Sequence, residues 1–231
     1  MTERTRRAGI SVAAIIPAAG SGQRLGGGSP KAFQPLAGTT LLRRSVNAVA
    51  PYVDVIVVAV PTAWCEVASE ILVGTACPVI VVVGGATRQE SVVAALAILP
   101  PEVDVVLVHD AARPLVPPTV VTAVLAELQA GASAVVPALP VADTLKYVDA
   151  AGQVVGTLDR TALAAIQTPQ GFRRDILERA HRAAPAVATD DAALVEVLGI
   201  PVLTVPGDPA GFKITTPYDV VLAEALLGRD A

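Results

Sequence analysis

Aromatic side chains are scarce, 3% of 231 residues against 53% hydrophobic overall, so the core has to be assembled from Ala, Val, Leu and Ile. That composition suits a buried parallel sheet with helices on its faces. Cysteine is nearly absent: Cys65 and Cys77 lack C-x-x-C spacing and stand in no cluster of metal ligands. Free thiols in a reducing compartment are expected, which points to the cytoplasm. The only histidines, His109 and His181, form neither a zinc set nor a Ser/His or Cys/His nucleophile pair. Long hydrophobic runs are missing too. Ile10–Ile16, behind the basic N-terminus, is too short for a signal core, and Val53–Val60, Val79–Val83 and Val103–Val108 are of strand length. The expectation is a soluble protein without a membrane partner. Positive charge is not in excess: a net charge of −4 offers no electrostatic footprint for a nucleic acid or an anionic membrane. Repeats, low-complexity segments and linkers are absent, so a single domain over residues 1–231 is expected.

Strand-length and helix-length patterns alternate along most of the chain. The strands are Val12–Ile16, Val53–Val60, Val79–Val83, Val103–Val108 and Ala132–Ala138; between them Thr39–Ala50, Thr62–Leu72, Thr87–Leu99 and Pro118–Ala130 have helical spacing. This rhythm predicts a mainly parallel sheet. Leu139–Arg160 departs from it, because Thr144–Val148 and Gln153–Thr157 flank the turn-rich Asp149–Gly152 and read as a β-hairpin. An isolated hairpin is marginal in water, which predicts that it packs on something, a second copy of the chain being one candidate. Beyond it the pattern predicts a strand at Ala164–Thr168, a turn at Pro169–Gly171 and a helix over Phe172–Ala184 with Arg173, Arg174 and Arg179 on a solvated face. A helix capped by Thr189 follows, then strands at Pro201–Val205 and Phe212–Thr215 and a last helix over Thr216–Leu227.

The chain is organised around Ala13–Lys31, AAIIPAAGSGQRLGGGSPK, a buried strand entering a glycine-rich loop with two cations, Arg24 and Lys31. Inward-pointing backbone amides, a guanidinium fork and an ammonium together suit a triphosphate. Glycine content alone leaves an ordinary βα loop open, since the stretch fits neither G-x-G-x-x-G nor G-x-x-x-x-G-K-[ST]. At the third strand's end, Gly84-Gly85-Ala86-Thr87-Arg88-Gln89-Glu90-Ser91 either lies along a base or ribose, with Arg88 and Ser91 as donors, or is simply a turn with a helix cap. At the fourth strand's end, His109-Asp110-Ala111-Ala112-Arg113-Pro114 places one carboxylate where a metal or hydroxyl would sit. Asp110 is the metal candidate, because Mg²⁺ needs few carboxylates beside substrate phosphates. His109 reads as structural, Arg113 as an anion ligand or a surface residue. The pair Asp190-Asp191 reads as helix-dipole complement.

Taken together, PAAGSGQRLGGGSPK, GGATRQESV, HDAARP, DTLK, DR, TPQGF, TDD and FKIT, in this order, resemble the 2-C-methyl-D-erythritol 4-phosphate cytidylyltransferase family over nearly the whole chain. The loop by itself would equally fit sugar-nucleotide and molybdenum-cofactor nucleotidyltransferases. The resemblance implies a three-layer α/β Rossmann-like nucleotidyltransferase fold with a protruding hairpin arm at 139–160. It also implies CTP and a polyol phosphate as substrates, Mg²⁺ as cofactor and a homodimer. Arg24 and Lys31 would stabilise the transition state. Ala18, Ala19, Gly20, Ser21, Lys31, Gly84, Gly85, Arg88, Ser91, Asp110 and Ala111 would bind the nucleotide. Asp110, Arg113, Thr144, Arg160, Thr168, Thr189 and Lys213 would hold the acceptor, with Arg160 and Lys213 orienting its phosphate. This chain departs from the family's usual residues at Ala32 and Gly211, where Gln and Asn are common.

The competing readings are a ribitol-5-phosphate cytidylyltransferase, a non-catalytic nucleotide-binding module and a glycosyltransferase. The last lacks its D-x-D triplet at a strand end, and a mere binder would not need both Arg24 and Lys31. Replacing Arg24 or Lys31 by Ala should lower turnover by about 10²–10³-fold, as removal of one preorganised charge-stabilising group does elsewhere; steady-state pyrophosphate release measures it.

Overall fold

The first apolar run becomes β1 (Val12–Pro17), and its alternate residues enter opposite cores. Ala14 and Ile16 face one cluster, Ala13 and Ile15 the other, the period-two alternation of a strand buried on both sides. The computed structural model describes residues 10–20, 29–183 and 188–228. A small ribbon, β2 (Pro35–Leu36) and β3 (Thr39–Thr40), leads into α1 (Leu41–Val49). Thr40 caps that helix by accepting the Arg43 amide, and Leu42, Val46 and Val49 are fully buried. Then come β4 (Val55–Val60), α2 (Cys65–Ile71), β5 (Val79–Val83), α3 (Arg88–Leu96), β6 (Val105–Val108) and α4 (Pro118–Gln129). The rest of the chain forms β7 (Ala134–Pro140), β8 (Lys146–Val148), β9 (Val154–Thr157), β10 (Ala164–Ile166), β11 (Gln170–Arg173), α5 (Arg174–Ala183), α6 (Asp191–Val197), β12 (Leu203–Pro206) and α7 (Pro217–Leu227).

One sheet runs in the order β10-β7-β11-β6-β1-β4-β5, with β12 beside β7. The pairs β6·β1, β1·β4, β4·β5 and β12·β7 are parallel; those made by β10 and β11 are antiparallel. Helices α1, α2 and α4 cover one face, while α3, α5 and α6 cover the other. The result is the expected three-layer, mainly parallel α/β architecture.

Several local expectations are corrected. The sequence pattern predicts a turn at Pro169-Gln170-Gly171, but Gln170–Arg173 is β11, inserted between β6 and β7 with Phe172 fully buried. Turn-forming residues at a sheet centre are tolerated here because α4 lies directly on the strand: a Cβ on Gly171 would stand 2.6 Å from both Leu128 Cδ1 and Val124 Cγ1. The helix therefore starts at Arg174, not Phe172. Arg174 is not solvated, since its guanidinium donates to the carbonyls of Pro100 and Leu99 and pairs with Glu178. Asp190, rather than Thr189, caps α6, accepting the Ala193 amide at 3.0 Å. Phe212–Thr215 forms no strand; the Ile214 amide bonds the Ala112 carbonyl at 2.8 Å and anchors this extended segment next to β6.

The hairpin is present. Asp149 Oδ1 accepts the amides of Ala151 and Gln153, and Gly152 takes φ of +80°, which closes the turn. Tyr147, Val148, Val154 and Val155 on its strands are exposed. Among the described residues, no helix is long and apolar enough to cross a membrane. Gly171→Ala should overpack the β11–α4 contact and destabilise the protein by about 1–3 kcal/mol, read as a lower urea midpoint.

Candidate active site

The C-terminal ends of β1, β5 and β6 open onto one crevice, the usual ligand position in an open α/β sheet. Each strand is still held as it leaves the sheet: Ala18 N–H bonds Ala59 O at 2.7 Å, Gly84 N–H bonds Val60 O at 2.8 Å and His109 N–H bonds Ile15 O at 2.9 Å. The cleft has a volume of about 400 Å³. Ala18, Ala19, Gly20, Lys31, Gly85, Arg88, Ser91, Asp110, Ala111 and Lys213 line it, together with Ala86, Thr87 and Thr215, which sequence reasoning does not assign. Five separate segments thus supply one site. Gly84 lies behind the wall, where a Cβ would come within 2.7 Å of Ala19 Cβ and 2.9 Å of Ser91 Oγ, so only glycine lets the two loops touch.

The Gly84–Ser91 loop is rigid by its own hydrogen bonds. Thr87 and Glu90 form a capping box on α3, and the Glu90 carboxylate accepts the Ala86 and Thr87 amides at 2.7 and 3.1 Å. Ser91 accepts the Gly85 amide at 3.1 Å and donates to Thr87 O at 2.9 Å. The Ser91 hydroxyl, expected as a ligand donor, is already engaged in shaping the loop.

Charge dominates the opposite wall. Asp110 lies among three cations: Arg88 Nε at 3.3 Å, Lys213 Nζ at 2.9 Å and Arg113 Nε at 3.7 Å. Burial alone would raise its carboxyl pKa, but Arg88, Lys213 and Arg113 outweigh burial and hold the group ionised far below the usual carboxylate range. Arg113 is drawn inward, donating to Gly211 O at 2.8 Å and Ile166 O at 3.3 Å, and burial lowers its pKa despite Asp110. Gly211, one of the departures from the family pattern, serves through its carbonyl. Lys31 adds another cation to the lining of the cleft. Such an excess of positive groups fits a polyanion.

Thr168 buttresses the site from beneath. Its hydroxyl accepts the Asp110 amide at 3.0 Å and donates to His109 Nδ1 at 3.0 Å, and His109 Nε2 faces Arg113 O at 3.2 Å. This chain of bonds assigns the Nε2-protonated tautomer. Burial pushes the His109 pKa down to about 4, which keeps the ring neutral. Asp191 reads from the sequence as a helix-dipole residue, but it is 1% exposed, ion-paired to Arg88 and hydrogen-bonded to His181 Nε2. Arg88 lies 103 residues away in sequence, and the TDD motif is the only signal for it.

Thr144 and Arg160, on the exposed arm, and Thr189, at the exposed start of α6, are not part of this cleft. Arg160 instead bonds Ala142 O. Ser21 and Arg24 lie outside the described residues. Among the described residues, no group of three His, Cys, Asp or Glu could hold a metal. The hard donor at the cleft is one carboxylate, Asp110, whose oxygens face Arg88, Arg113 and Lys213; a single carboxylate beside substrate phosphates is the kind of donor set that suits Mg²⁺.

The model of the 2-C-methyl-D-erythritol 4-phosphate cytidylyltransferase family matches residues 12–229. A relative of that name from Nocardia farcinica is 56% identical over 223 residues, covering 96% of each protein. One from Rhodococcus opacus is 51% identical over 222 residues, covering 95% of this chain and 96% of its own length. Among solved structures, the cytidylyltransferase of the same name from Thermus thermophilus superposes with a TM-score of 0.78 at 40% identity, covering 94% of this chain and 98% of that one. The 4-diphosphocytidyl-2C-methyl-D-erythritol synthase of Anaerococcus prevotii gives 0.82 at 29% identity, covering 95% and 99%.

Because His109 titrates near 4 when folded and near 6.5 when unfolded, only the unfolded chain takes up its proton between those values. Stability should therefore fall as pH drops from about 6.5 to 4, by on the order of 3 kcal/mol from this group. Urea midpoints measured without added metal should show that slope in the wild type and lose most of it in His109→Gln.

Proposed function

Since the chain belongs to the 2-C-methyl-D-erythritol 4-phosphate cytidylyltransferase family, we propose how its residues carry out that reaction. The enzyme is a nucleotidyltransferase of the non-mevalonate isoprenoid pathway. It joins CTP and 2-C-methyl-D-erythritol 4-phosphate into 4-diphosphocytidyl-2-C-methyl-D-erythritol and releases pyrophosphate. An oxygen of the acceptor phosphate attacks the α-phosphorus of CTP in line. The bond from that phosphorus to the bridging oxygen breaks, and pyrophosphate leaves with the electron pair. No covalent enzyme intermediate is needed, so catalysis consists of positioning and charge stabilisation.

The observation that carries this reading is the cationic ring of Arg88, Arg113 and Lys213 about Asp110 at the crevice. Two phosphate-bearing substrates repel each other, and the ring with Lys31 offsets that repulsion. Ala18, Ala19, Gly20 and Ser21 cradle the triphosphate, and Arg24 and Lys31 stabilise the charge developing on it. The Gly84–Ser91 loop lies along the cytidine; its short internal bonds keep the slot narrow enough for a pyrimidine. Asp110, Arg113 and Lys213 hold the acceptor, and Thr168 supports Asp110 from beneath. Asp110 would be the residue that holds Mg²⁺ beside the substrate phosphates, where the ion would neutralise phosphate charge.

Thr144 and Arg160 complete the acceptor pocket through assembly. The arm exposes Leu145, Tyr147, Val148, Val154 and Val155, an apolar surface suited to a second copy of the chain, and it brings Thr144 and Arg160 to that copy's cleft. We place the homodimer in the cytoplasm, in keeping with its two free cysteines.

The test is pyrophosphate release from purified protein with CTP and Mg²⁺, offering methylerythritol phosphate and ribitol phosphate in parallel. Release with methylerythritol phosphate at an efficiency at least about tenfold higher is expected, a margin that a pocket built around acceptor hydroxyls supplies. Preference for ribitol phosphate would keep the mechanism but replace the acceptor, and silence with both would leave a nucleotide-binding module.

A further inference from the structure

Arg88 is gripped from two sides. Its Nε meets Asp110 Oδ1 at 3.3 Å, and its Nη1 meets Asp191 Oδ2 at 2.5 Å. Asp191 sits on the first turn of α6 and is almost fully buried. Its other oxygen, Oδ1, takes His181 Nε2 at 2.9 Å, from α5, and the His181 side chain is 3% exposed. Gln170 on β11 fixes the start of α6, donating to Asp190 Oδ2 at 2.7 Å and accepting the Ala192 amide at 3.2 Å. A central strand and three helices therefore converge on the orientation of one guanidinium.

We propose that Asp191 is a positioning residue for nucleotide binding: with His181 behind it, it aims the Arg88 fork into the cleft. The inference rests on the functional reading above. Both carboxylates bind through Nε and Nη1, which leaves Nη2 for the nucleotide. An arginine held this way has already lost the rotamer freedom that ligand binding would otherwise remove. Charge-assisted bonds are the strong class, and the desolvated setting of Asp191 strengthens them further. Asp191 reaches the ligand only through Arg88, and His181 only through Asp191.

Three readouts separate this role from a merely structural one. Asp191→Asn keeps the shape and removes the charge; it should raise KM for CTP by about tenfold with kcat within about twofold, the signature of lost ground-state binding. In an Arg88→Ala background the same change should add less than about twofold, because its route of action is gone. His181→Leu should shift KM in the same direction, and His181→Gln, whose amide N–H can replace the ring donor, should restore it; this pair serves if Asp191→Asn folds poorly. Equal effects of Asp191→Asn with and without Arg88, or a fall in kcat with KM unmoved, would overturn the proposal. Calorimetric titration with CTP alone keeps it separate from the functional reading. Loss of CTP affinity in Asp191→Asn supports it even if no acceptor reacts. Affinity independent of the variants overturns it alone, and a wild type that does not bind CTP overturns both.

Discussion

A carboxylate as buried as Asp110 stays ionised only because cations surround it, and it in turn helps to hold those cations at the strand end. That mutual dependence is the constraint on which the site rests. Arg88 comes from α3, Arg113 from the loop after β6, and Lys213 from the segment before α7. Asp110 collects them at the strand end, where burial and charge oppose each other and charge prevails. The three cations outnumber the two carboxylates that they meet, Asp110 and, at Arg88, Asp191, so the cluster keeps a positive character suited to an anion.

The scaffold supplies the rest through closeness of backbones. Parallel strands β5, β4, β1 and β6 end together, so loops distant in sequence become walls of one crevice. Small residues decide how near those walls come. Gly84 admits Ala19 and Ser91, and Gly171 admits α4. Neutral His109 and Thr168 then fix the backbone under Asp110 without adding charge of their own. The aliphatic core permits this closeness, since alternate Ala, Val and Ile on β1 fill both faces without large rings.

Much of the molecule is legible in the chain because its signals are local. Apolar runs of strand length, the Thr87–Glu90 box and the Thr216 cap each specify their element through neighbours a few residues away. The cleft is largely legible as well, through the ends of successive strands and the family motifs on them. Legibility stops where the deciding partner is remote. Turn chemistry in Pro169-Gln170-Gly171 gives way to the ladders offered by β6 and β7, and Arg174 is taken out of solvent by the carbonyls of Leu99 and Pro100.

By itself the sequence determined the layered α/β plan, the hairpin and the place of Asp110 at the end of β6, since periodicity, capping and turn residues act over a handful of positions. Only the tertiary structure decided that β11 enters the sheet centre, that Ser91 commits its hydroxyl to its own loop, and that Asp191 faces Arg88 across 103 residues of chain. The physical reason is that a pattern shows which face of an element is buried, whereas the charge or hydrogen bond that a buried polar group meets there is set by whatever distant segment packs against it.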